Sequence, residues 1–317
     1  MKTKYIYILL FFFALSLFCL YFVKSIEANS ESNPPIHLGN YICRYFYNLG
    51  KSIHEKKDFE FDVPDSIDFV KNLPKKINYK KEFDSIRNEM IAEGIDDQWF
   101  IHSQPNDYGA FEMKDVKTEK FWLALKPLAH KIMDESFKVS NIVKTVDNPV
   151  IHFRCADVPF SKHPGYLFQK YTFFKDALTE ITKRTKKHDK IILSYCNTHR
   201  SGQIERESCD IYAKSIKEYI ETLDYKVDVQ CNEYIDDFAI MFYAPAVISS
   251  GSSFSFMAGF FGKGVFISAG HQFYESPEQN NYLNDIGDWL FKGYNISHSS
   301  VADYTDTGSV IKLLSEE

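Results

Sequence analysis

From Asn148 onward, short apolar runs alternate with longer stretches of helical spacing. Pro149-Val150-Ile151-His152-Phe153 is a short strand of the buried type, and Tyr171 to Lys183 repeats its apolar positions at the helical period. The order continues with a strand at Ile191–Ser194, a helix over Glu205–Leu223 and a strand at Lys226–Val229. A helix over Ile235–Tyr243, a strand at Ala246–Ser249, a helix over Ser253–Phe261 and a strand at Val265–Ile267 complete the series. Strands alternating with longer helices predict βαβ units on a parallel sheet, which makes the chain an α/β protein of Rossmann-like type in its C-terminal part. Ligands of such sheets sit beyond the carboxyl ends of the strands, so candidate chemistry belongs just after each strand.

Before Lys144 the pattern is mixed. Charged helical stretches such as Lys80–Glu93 alternate with aromatic runs such as Gln98–His102, and no catalytic spacing stands out. The basic run Lys183 to Lys190 precedes a strand and reads as a solvated helix end.

The beginning of the chain has a third character. Tyr5 to Val23 is 19 residues without a charge, and as a helix it would span roughly 28 Å, close to the ~30 Å hydrocarbon core of a bilayer. Lys2 and Lys4 precede it, so the N-terminus stays cytosolic and the remainder faces the lumen or the outside. A cleaved signal peptide fits less well. Its apolar region is usually about 7–15 residues, and Ile26-Glu27-Ala28 is a poor cleavage site. The expected organisation is a cytosolic tail at 1–4, a transmembrane signal anchor at 5–23, a stem at 24–35, an N-terminal acceptor-side domain at 36–145 and a nucleotide-sugar-binding domain at 146–317. That is a single-pass type II membrane protein, luminal in Golgi or ER, or extracellular.

Composition narrows the classes further. At 44% apolar and 25% charged, the chain excludes disordered and collagen-like proteins. A net charge of −6 offers no basic stripe for nucleic acid. The 28 Phe point mostly to core. Six cysteines with no C-x-x-C pair form neither a zinc site nor a recognisable disulfide scaffold. A luminal setting nevertheless permits disulfides among Cys43, Cys155, Cys196, Cys209 and Cys231, and their odd number leaves at least one outside any pair within the chain. Asn295-Ile296-Ser297 is a glycosylation sequon.

Three strand ends carry candidate chemistry. The first, His152-Phe153-Arg154-Cys155-Ala156-Asp157, sets a planar cation at the mouth of the sheet. A guanidinium fork binds phosphate in bidentate fashion, with Asp157 to orient it or to act as a base. An Arg154–Asp157 surface ion pair would use the same residues. The second is Ser249-Ser250-Gly251-Ser252-Ser253-Phe254-Ser255, where Gly251 permits a tight strand-to-helix turn and Ser252 or Ser253 suits the N-cap. Amides at that helix start form an anion site, and the hydroxyls add donors for a diphosphate. A capped helix with nothing bound is the alternative. The third, Ser194-Tyr195-Cys196-Asn197-Thr198-His199-Arg200, offers Asn197 and its neighbours to a base or ribose, or is a solvated loop.

His152-x-Arg154-x-x-Asp157 resembles the H-x-R-x-x-D motif of the GDP-fucose-dependent fucosyltransferases, the α1,2-, α1,6- and protein O-fucosyltransferase superfamily. Asp236-Asp237-Phe238-Ala239-Ile240-Met241, running through Val247-Ile248-Ser249 to Ser252-Ser253-Phe254-Ser255-Phe256, is similar to the acidic helix, apolar strand and Ser-Ser-Phe-Ser-Trp turn of the α1,2 branch. The resemblance covers roughly residues 148 to 270. This chain has Cys155, Ala156 and Phe256-Met257 where the family has a second basic residue, a glycine and a tryptophan pair, which leaves acceptor and linkage open.

The resemblance implies a GT-B fold and inverting transfer of fucose from GDP-fucose to a glycan or glycoprotein acceptor, with no cofactor. Charge grows on the departing β-phosphate, and Arg154 with the Ser252–Ser255 turn would stabilise it. The donor-binding set is then Arg154, Gly251, Ser252, Ser253, Ser255 and Asn197. The catalytic set is Arg154, Asp157 and His152, with Asp157, His152 and His163 as candidate bases. Asp237 is expected to cap its helix or hold a loop. No D-x-D occurs in the sequence, which fits a metal-free site. Another nucleotide sugar as donor, or a catalytically silent, membrane-tethered glycan-binding homologue, are the competing readings.

Overall fold

A computed structural model describes residues 37–63, 69–103, 116–155, 168–196, 202–268, 289–291 and 305–316. The expected anchor and stem lie outside the described residues, and among those described no helix is long and apolar enough to cross a membrane.

Helices dominate the first part. α1 (Leu38–His54) buries Ile42, Tyr45, Phe46, Leu49 and Ile53, a stripe at spacings of three and four that presents one face to a core. Two short strands, β1 (Phe59–Glu60) and β2 (Lys76–Ile77), pair antiparallel behind it. A single 3₁₀ turn then leads into α2 (Asp84–Ala92), within the stretch whose charge pattern predicted a helix. The aromatic run Gln98–His102 falls in α3 (Asp97–His102), where Asp96 caps the helix by accepting from Trp99 N at 2.8 Å. α4 (Val116–Val139) buries Phe121, Trp122, Leu125, Ala129, Met133 and Phe137 on one face. Pro127, which cannot donate to the helix ladder, stands on the exposed side.

At about residue 145 the helices give way to the parallel sheet. Its strands are β3 (Val150–His152), β4 (Lys190–Ser194), β5 (Lys226–Gln230), β6 (Ala246–Ser249), β7 (Val265–Ser268) and β8 (Trp289–Phe291), in the spatial order β5-β4-β3-β6-β7-β8 with every pairing parallel. The connecting helices are α5 (Tyr171–Arg184), α6 (Gln203–Glu221), α7 (Tyr234–Tyr243) and α8 (Ser253–Phe260), with α9 (Thr307–Ser315) near the end of the chain. From β3 to β7 each matches the sequence pattern to within two residues, whereas β8 and α9 were not expected from it. The basic run resolves as expected: Lys183 and Arg184 close α5 and both pair with Glu180, while Lys190 opens β4 and pairs with Asp228.

The pleat sends successive strand residues to opposite faces. Ile151, Ile191, Leu193, Ala246, Ile248 and Ile267 point into a core shared with α5, α6 and α9. Val150, Ile192, Val247 and Phe266 point into the other, shared with α7, α8 and the helices of the first part. That second core runs across residue 145. His130 Nδ1 meets Phe261 O at 2.8 Å and Tyr243 OH donates to Asp134 at 2.9 Å, which join α4 to the sheet-side helices. Leu38–Glu317 is accordingly a single structural unit. Nearly all described phenylalanines are buried.

The strand order has a consequence for function. The chain lays down β3, then β4 and β5 to one side, and returns through α7 to start again with β6 on the other side. This doubly wound arrangement has its topological switch between β3 and β6, where ligands of open α/β sheets bind beyond the carboxyl ends.

Candidate functional site

Two of the three strand ends singled out in the sequence meet at that switch. Register pairs His152 with Ser249. Past the last ladder rung, Ser250 N donates to His152 O at 3.2 Å and Arg154 N donates to Ser250 Oγ at 2.9 Å. Phe153 N donates to Ser194 O at 3.0 Å on the opposite side, so the third strand end is also joined. The Phe153–Arg154 backbone is therefore held on both flanks. Cys155 adds a covalent tie, a disulfide to Cys209 in α6.

The serine turn is built from its own hydroxyls. Gly251 has a φ of 91°, a conformation that favours glycine. Ser249 Oγ and Ser255 Oγ are 2.7 Å apart, and Gly251 N donates to Ser249 Oγ at 3.3 Å. Ser252 is the N-cap of α8, its hydroxyl accepting from Phe254 N at 3.3 Å. Ser255 Oγ also donates to Ser252 O, and Ser249 and Ser255 are both fully buried. The expectation that Ser255 faces a diphosphate is thus corrected: its hydroxyl is a brace inside the turn. Ser253 is half-buried, and its hydroxyl donates to Asn40 Oδ1 in α1 at 2.6 Å. The hydroxyls of the turn are thus spent on one another and on Asn40.

His152 lies beside Phe254, with ring centroids 5.7 Å apart. Its Nδ1 is sealed from solvent without a hydrogen-bond partner. Burial first, and then the Arg154 charge, push its pKa down to about 3. The ring is neutral at physiological pH, and burial makes it a weaker base than an ordinary imidazole.

Asp237 behaves as the sequence suggested. It is buried in the first turn of α7 and holds the preceding loop, accepting from Asn232 Nδ2 at 2.8 Å and Asn232 N at 3.3 Å. Burial raises its pKa, partly offset by those Asn232 bonds. Beside it a second disulfide joins Cys196 to Cys231. The register that pairs Ser194 with Gln230 brings these two positions together just past the ends of β4 and β5. Cys43 is buried in α1 and belongs to neither disulfide.

Asp157, His163 and Asn197 lie outside the described residues. Among the described residues no cluster of three or more His, Cys, Asp or Glu could hold a metal. Asn40, Ser249 and Ser250 are the residues that sequence reasoning passed over. The two serines sat within the quoted motif, but Asn40 carried no signal, because its partner is 213 positions away. Comparisons with protein families, curated proteins and solved structures find no match for this chain.

Proposed function

We propose that the chain is a glycosyltransferase that takes a nucleotide-sugar donor, GDP-fucose by its motif resemblance, and transfers the sugar with inversion to a glycan or glycoprotein hydroxyl. The observation that carries this reading is the meeting of Arg154 and the Ser249–Ser253 turn at the switch between β3 and β6. A guanidinium and a helix start at one sheet mouth suit a diphosphate. In the reaction the acceptor oxygen forms a bond to the anomeric carbon as the bond to the β-phosphate oxygen breaks. Negative charge then gathers on the departing diphosphate, where Arg154 and the α8 amides would stabilise it. With His152 neutral and weakly basic, the base role passes to Asp157 or His163.

A GT-B-like organisation, an anchor at residues 5–23 and a luminal catalytic part belong to the same proposal. Two disulfides support an oxidising compartment. The test is thermal stabilisation of residues 36–317 by GDP, UDP, GDP-fucose and GDP-mannose. A shift with GDP and GDP-fucose but none with UDP supports the reading. No shift with any of them removes it.

A further inference from the structure

Asn40 stands in the first turn of α1, and Ser253 is the first residue of α8. The 2.6 Å bond from Ser253 Oγ to Asn40 Oδ1 is backed by main-chain contact. A Cβ on Gly39 would lie 2.4 Å from Phe254 N, so only a glycine lets α1 approach this closely. The start of the N-terminal helix is thereby built into the wall of the candidate site.

A hydroxyl has one proton and two lone pairs. With its proton directed at Asn40, Ser253 presents only lone pairs outward. Such an oxygen repels a phosphate oxygen and welcomes a hydroxyl donor. The α8 amides and Arg154 keep the opposite polarity and suit the anion. We infer that Asn40 is a positioning residue: it turns the Ser253 hydroxyl so that the oxygen accepts a hydrogen bond from a hydroxyl of the nucleotide-sugar donor, and diphosphate binding is left to Arg154 and the amides. The inference rests on the nucleotide-sugar reading. Asn40 itself touches no ligand and acts through Ser253.

The test is a double-mutant cycle of wild type, Asn40→Ala, Ser253→Ala and the double variant, by calorimetric titration with GDP and with GDP-fucose, well below the melting temperature of each protein. Each single change weakens binding about 5- to 10-fold, the worth of one hydrogen bond. The double variant binds no worse than the weaker single, because the two residues act as one unit. A loss already present with GDP assigns the hydroxyl to the ribose, and a loss confined to GDP-fucose assigns it to the sugar. Ser253→Ala is conservative at a helix start and keeps the cycle readable if Asn40→Ala lowers stability. Unchanged affinities, or losses that add in the double variant, overturn the role of Asn40 while the wild-type titration still supports the donor. A wild type that binds no nucleotide overturns the donor reading, and this inference with it.

Discussion

The Arg154 amide donates to Ser250 Oγ across 96 positions of sequence, at 2.9 Å. This bond makes one site out of two strand ends. It continues the β3–β6 pairing beyond its last rung and sets the guanidinium-bearing segment against the turn that starts α8. Side-chain polarity at this place is largely consumed internally, Ser249, Ser252 and Ser255 bracing the turn and Ser253 bonding to Asn40.

Arg154 is expected to cost the most activity for the least stability when changed. Its backbone makes the bond to Ser250, which Arg154→Ala retains. Removing one donor to a developing charge typically costs about 10²–10³ in turnover. Arg154→Lys recovers only part, because an ammonium lacks the planar fork. Sugar transfer, or donor hydrolysis, by the three proteins checks this. Equal rates with matching melting temperatures would make Arg154 a surface ion-pair residue.

Gly251→Val should lower donor affinity. At a φ of 91° a β-branched residue is strained, and relief would twist the Ser249–Ser252 turn. The destabilisation should be of order 1–3 kcal/mol. Titration with GDP alongside a melting curve separates the two effects, and a folded variant with wild-type affinity would show that the turn is not part of the donor site.

Glu119 gives the protein a stability that depends on pH. It is fully buried in the first turn of α4, neither oxygen has a partner, and burial raises its pKa to about 7 despite Lys120 nearby. The unfolded chain ionises this group first, near pH 4.5. Its contribution is therefore intact below that pH, declines as pH rises and levels off above about 7, a total of roughly 3 kcal/mol. Glu119→Gln should melt close to wild type at pH 5 and clearly higher at pH 8. A difference that is constant between the two would mean that Glu119 is ionised and solvated in the folded state.

The disulfides should both matter, through the loops they close. Cys155–Cys209 spans 54 positions and Cys196–Cys231 spans 35. Chain entropy assigns each about 4 kcal/mol. Serine replacement of either pair lowers the melting temperature by comparable amounts. The Cys155–Cys209 pair, next to Arg154, should additionally weaken donor binding. Identical melting of wild type with and without a dithiol reductant would show that neither bond forms in solution.

The sequence by itself determined where strands and helices lie between residues 148 and 268. Local periodicity reports which side of each segment is buried, and Ala246–Ser249 or Tyr171–Arg184 need no partner to declare themselves. It also marked Arg154, Gly251 and the serines, because strand ends on a parallel sheet are the places where chemistry collects. Periodicity says nothing of which strand stands beside which. The order that puts β3 next to β6, and hence Arg154 next to Ser250, is decided by the return of the chain through α7. The same holds for Cys155–Cys209, for Ser255 turning inward and for Asn40 reaching Ser253. Each is a pairing between distant residues of ordinary local character, and only the packed sheet and its helices bring the partners within bonding distance.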